Sequence, residues 1–63
     1  MGYSTRKIGS SWYVLWTTDQ LTEVVVCKVN TFFKDSKGVA EGIAALLNKG
    51  EIVVNLELAE TLN

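Results

Sequence analysis

The sequence predicts an α+β domain, a small two-layer sandwich of order (β)ββαβ. It comprises an antiparallel β-hairpin, one amphipathic helix and a C-terminal strand, with residues 1–63 forming a single unit. Three observations carry this reading. Two runs rich in aromatic and β-branched residues, Ser11 to Thr18 and Leu21 to Phe33, flank the polar break Thr18-Asp19-Gln20. Val39, Ile43, Leu46 and Leu47 recur at i, i+4, i+7 and i+8, the spacing of one helix face. Glu51 to Leu58 alternates, with Ile52, Val54, Leu56 and Leu58 on one side and Val53, Asn55 and Glu57 on the other.

Taken in order, Gly2 to Ile8 is polar and weakly patterned and Gly9-Ser10-Ser11 is a breaker, so residues 1–10 read as either a short edge strand or a loose arm. Trp12 to Trp16 then has the chemistry of a strand packed on both faces. If Asp19 and Gln20 form a two-residue turn, Trp16, Val14 and Trp12 face Glu23, Val25 and Cys27 on one side of the ribbon. The other side carries Leu15 with Val24 and Tyr13 with Val26. A turn of another length shifts each pair by one residue and exchanges the partners. Asp35 or Ser36 can cap a helix running to about Asn48, with Ala40 and Ala44 permitting close approach to the sheet and Gly50 as its stop. Gly42 weakens that helix by about 1 kcal/mol relative to alanine, unless it marks a close contact.

Composition narrows the function. A chain of 63 residues is near the size at which one core barely offsets chain entropy, so disulfides, a metal or a second chain usually reinforce it. Cys27 is the only cysteine and histidine is absent, which excludes an internal disulfide and argues against structural zinc. The missing histidine also removes the commonest general base, and we expect no enzymatic activity, metal or cofactor. Cys27 reads as a small buried hydrophobe, since alternation turns Lys28 to the opposite face. Lys34-Asp35-Ser36-Lys37-Gly38 reads as helix capping, because the order of a phosphate loop is missing. No apolar run is long enough for a membrane span and the first residues do not form a signal peptide, so a cytoplasmic location is expected.

One helix covers one sheet face. Tyr13, Leu15, Val24 and Val26 are therefore the expected interface, their faces exchanging with Trp12, Val14 and Trp16 if the turn is longer. Burying a large apolar side chain contributes about 1.5 to 3 kcal/mol, so four left in water favour association. The function expected on this ground is a non-enzymatic protein–protein interaction module, a homodimeric accessory, regulatory or inhibitor protein of the phage or prokaryotic type. The alternative is a small nucleic-acid-binding protein using Arg6 and Lys7 with exposed aromatics, against which the net charge of −1 weighs. That charge is uneven. Residues 1–37 carry Arg6, Lys7, Lys28, Lys34 and Lys37 against Asp19, Glu23 and Asp35, a balance of +2, whereas Glu41, Glu51, Glu57 and Glu60 follow with Lys49 alone, a balance of −3.

Overall fold

Strand formation begins earlier than the sequence pattern requires. The computed structural model describes residues 2–55 and the pair Glu60–Thr61, and β1 (Gly2–Ile8) is a complete strand. It pairs antiparallel with β2 (Ser11–Thr17) along its whole length, from Gly2↔Thr17 to Ile8↔Ser11. The breaker Gly9-Ser10 is thus a two-residue hairpin turn. Gly9 adopts φ 62° at the first turn position, a conformation that suits the twist of the flanking strands and strains other residues.

The second hairpin joins β2 to β3 (Glu23–Val29) through five residues, because Thr17 pairs with Glu23. Thr18 organises that loop. Its N–H donates to the Thr22 carbonyl at 2.9 Å, its carbonyl accepts from Leu21 N–H at 3.0 Å, and its hydroxyl accepts from Thr22 N–H at 3.1 Å. Leu21 is held at φ 62°, a left-handed conformation uncommon for a branched side chain. The pairs consequently run Trp16↔Val24 and Leu15↔Val25, one residue from the two-residue-turn register. The pairing shifts again between Val14 and Leu15 to give Val14↔Cys27, Tyr13↔Lys28 and Trp12↔Val29. Val26 is the extra residue of this bulge, and bulges sharpen local twist.

A tight turn follows β3. Asn30 Oδ1 accepts from Phe32 N–H at 2.8 Å and the Asn30 carbonyl from Phe33 N–H, which takes both phenylalanines out of the strand expected to reach Phe33. The helix α1 (Ser36–Lys49) starts at Asp35, whose Oδ1 accepts from Gly38 N–H at 2.9 Å. It ends at Gly50 in the left-handed conformation, and Glu51 N–H turns back to the Leu46 carbonyl. Its buried stripe is Ala40, Ala44 and Leu47, with Ile43 partly buried and Val39 and Leu46 exposed at the margin.

This stripe packs on Val14 and Val29, with Tyr3, Trp12, Val26, Cys27 and Val54 around them. At its C-terminal end α1 reaches the outer edge of β1. Asn48 accepts from Tyr3 N–H and donates to the Tyr3 carbonyl, both at 3.0 Å, as a neighbouring strand would. Part of a free sheet edge is thereby closed. The final strand expected over Glu51 to Leu58 is absent from residues 51–55, which follow the helix cap as irregular chain, and its remainder lies outside the described residues. A two-residue strand β4 (Glu60–Thr61) pairs antiparallel with β3 at Val24↔Thr61 and Val25↔Glu60. The architecture is an antiparallel sheet with one helix, a small α+β fold.

Candidate interaction surface

Strand register decides which side chains share the face away from the helix. Directly paired residues of antiparallel strands project to the same side, so Arg6, Tyr13 and Lys28 form one row across the sheet, with Ser4, Leu15 and Val25 the next. Tyr13 and Leu15 therefore share the open face as expected. Val24 and Val26 do not. Val24 pairs with Trp16, whose ring lies 4.7 Å from that of Tyr3 on the helix side, and the bulge turns Val26 into the core. Val25 takes their place.

The open face is also less apolar than expected. Leu15 is fully buried, at 0% exposure, although no helix covers it. Arg6 of β1 is ion-paired with Glu23 of β3 across the intervening β2 strand, and the register sets Leu15 between their rows. The pair thus spans the face of β2 on which Leu15 lies. Large apolar groups are instead exposed at the two ends of the sheet. Phe32 and Phe33, at 88% and 51%, lie at the β3–α1 end, while Leu21 and Val53, at 81% and 90%, lie at the end of the β2–β3 loop.

The charges divide between the same two ends. Arg6 and Lys7 close β1, Lys28 closes β3, Lys34 lies in the loop that follows, and Lys37 opens α1. Five of the six basic residues thus meet at one end, beside four of the six aromatics: Trp12, Tyr13, Phe32 and Phe33. Lys37 Nζ lies 5.7 Å from the Trp12 ring centroid, a cation–π contact. The acids of these elements are Asp35, whose carboxylate is engaged in capping α1, Glu23, which is ion-paired with Arg6, and Glu41 on α1. Asp19, Glu23 and Glu51 stand toward the other end with Lys49. Among the described residues Arg6–Glu23 is the only ion pair, so Lys7, Lys28 and Lys34 carry unneutralised charge.

A cleft of about 210 Å³ opens at the basic end, lined by Ser11, Lys28, Asn30 and Thr31. Each lining side chain offers a donor: two hydroxyls, an ammonium, and the amide NH₂ of Asn30, whose oxygen is held by Phe32 N–H. The sequence signal missed here was Asn30-Thr31 ahead of the phenylalanines, a turn start that ends the strand.

The remaining candidates are placed as follows. Cys27 is half-buried, and burial pushes its thiol up, with a backbone hydrogen bond from Val14 acting in the opposite sense. Arg6 and Lys7 are strand residues that project to opposite faces, Arg6 with Tyr13 and Lys7 with Trp12. Among the described residues no group of three acidic or cysteine side chains is arranged to hold a metal ion, and no helix is long and apolar enough to cross a membrane. No protein-family model, curated protein or solved structure matches the chain.

Proposed function

We propose that the protein is a non-enzymatic binding module that engages a macromolecular partner through the basic, aromatic end of its sheet. The observation that carries this reading is the placement of Lys7, Lys28, Lys34 and Lys37 at the same end of the sheet as the exposed Phe32, with Lys28 lining the cleft there. An exposed aromatic at the end that carries the unneutralised cations is suited to contact and hard to account for as packing. The domain is taken as one (β)ββαβ unit, the pairing of Glu60–Thr61 with β3 supporting the C-terminal strand. The test is site-specific photo-crosslinking in cell extract, with a crosslinker in place of Phe32 and a control in place of Asp19 at the opposite end. Capture of a macromolecule from position 32 alone is the expected result; equal capture from both positions, or none, overturns the reading.

A second reading, self-association into a homodimer, is favoured by the exposure of Leu21, Ile52 and Val53 at the acidic end. The outer edge of β1 is a poor junction for it, since Asn48 occupies the Tyr3 position and Arg6 and Lys7 guard the rest. Light scattering at low micromolar concentration decides the matter. A Val53→Asp and Leu21→Asp double variant should convert a dimer to monomer, and a wild-type monomer removes the idea.

A further inference from the structure

We infer that the basic end binds single-stranded nucleic acid, a phosphate seating in the Ser11–Lys28–Asn30–Thr31 cleft and unstacked bases lying on Tyr13 and Phe32; this rests on the binding-module reading above. The cleft supplies a donor from each lining side chain and one fixed positive charge, with no carboxylate among them, which complements a phosphodiester oxygen pair. Tyr13 pairs in register with Arg6 on one side and Lys28 on the other. Neighbouring strands lie about 4.8 Å apart, so the aromatic surface has the uncompensated Lys28 on one side and Arg6, held by Glu23, on the other, a layout that accepts a base with a phosphate beside it at Lys28. Phe32 is 88% exposed and adjoins the cleft through Asn30 and Thr31, which provides a second stacking surface.

The same arrangement distinguishes the polymer. A duplex buries the faces of its bases in its own stack, leaving Tyr13 and Phe32 nothing to receive, whereas a single strand presents them. An anionic membrane would seek cations continuous with a broad apolar surface, whereas here the exposed apolar groups beside the cations are Phe32 and Phe33, and Leu21 lies in the β2–β3 loop away from them. The net charge of −1 does not oppose the inference, because five of the six basic residues lie at this end while Asp19 and Glu51 stand toward the other, which orients the basic end toward a polyanion.

The experiment is fluorescence anisotropy of the full chain with a labelled oligothymidylate of about fifteen nucleotides, a span matched to one small domain. Amide resonances are followed by NMR in parallel. The single strand should bind more tightly than duplex of the same length. With four lysines on four phosphates, a roughly fourfold rise in salt should weaken binding roughly fifty-fold. Phe32→Ala should weaken it roughly tenfold or more through lost stacking, and Lys28→Gln should reduce the salt slope by about 0.7. Both side chains are exposed, so the fold survives their replacement. Absence of binding at low salt, or binding indifferent to both substitutions, overturns the inference. If oligothymidylate leaves the Lys28 and Phe32 resonances unmoved while phosphatidylserine vesicles or polyglutamate shift them, nucleic acid is wrong and the binding surface stands. If none of these probes shifts them and crosslinking from position 32 fails, both fall.

Discussion

At the residue scale, Cys27 shows how position within a strand settles chemistry. It follows the bulge residue Val26, and both side chains are packed against the core. Lys28, the nearest cation in sequence, belongs to the opposite face, so no positive charge stabilises a thiolate. Burial therefore dominates and holds the thiol above its ordinary value near 9, the Val14 hydrogen bond offsetting part of the rise. A raised value in the folded state means that folding retains a proton which the unfolded chain has already released. The stabilisation is complete below the unfolded value and declines as pH climbs from there through the folded one. Two outcomes are expected. Iodoacetamide should label the native thiol much more slowly than the urea-unfolded chain near neutral pH. The loss of urea resistance between about pH 8 and pH 10 should be smaller in Cys27→Ala than in the wild type, the comparison cancelling lysine and tyrosine titration. Equal labelling rates in the two states would show the sulfur to be open and reactive.

At the scale of the element, α1 contains a matched pair of glycines with opposite consequences. A Cβ at Gly42 meets nothing within 4 Å, so neither the sheet nor a neighbour requires glycine there. Gly42→Ala should stabilise by about 1 kcal/mol, raising the melting temperature by roughly 4 to 8 °C for a domain of this size. At Gly38 a Cβ would collide with Asp35 Oδ2, displacing the carboxylate that caps the helix. Gly38→Ala should gain the same propensity, lose a cap of about 1 kcal/mol and leave the melting temperature nearly unchanged. Thermal unfolding by circular dichroism compares the two, and equal shifts would refute the role given to Asp35. The same locality explains what could be read in advance. Helix α1 was legible because Asp35, the apolar spacing and Gly50 act within a turn of themselves. The β2–β3 register was not, because it depends on three hydrogen bonds at Thr18 and on a bulge at Val26, in a run of three valines that pattern alone cannot divide. Residues 2–8 read as weakly patterned because Ser4 and Arg6 belong to the face without a helix. Phe32 and Phe33 have strand chemistry, and a single Asn30 turn removes them from β3.

At the scale of the molecule, a modest asymmetry along the sequence becomes a division between two ends in space. Arg6 and Lys28 are far apart in the chain, but a three-stranded meander returns alternate strand termini to the same end, and the helix adds Lys37 there. The candidate surface was for this reason hidden in a sequence of net charge −1: it depends on where strands end as well as on composition. Among the described residues Glu23 is the one acidic side chain that reaches back from the other end, to hold Arg6. An ion pair this exposed contributes about 0 to 1 kcal/mol, so its main effect is on the field at the basic end. Glu23→Gln keeps the bulk beside Leu15, removes one negative charge and releases the Arg6 guanidinium next to Tyr13. The melting temperature should move little, whereas oligothymidylate binding should tighten and its salt slope should steepen by about 0.7, the increment of one further phosphate contact. Arg6→Gln should weaken binding from the same starting point without steepening the slope. If Glu23→Gln leaves affinity unchanged or lowers it, Arg6 is a structural cover for Leu15 and takes no part in the binding surface, which then consists of Lys7, Lys28, Lys34 and Lys37 with their aromatic neighbours.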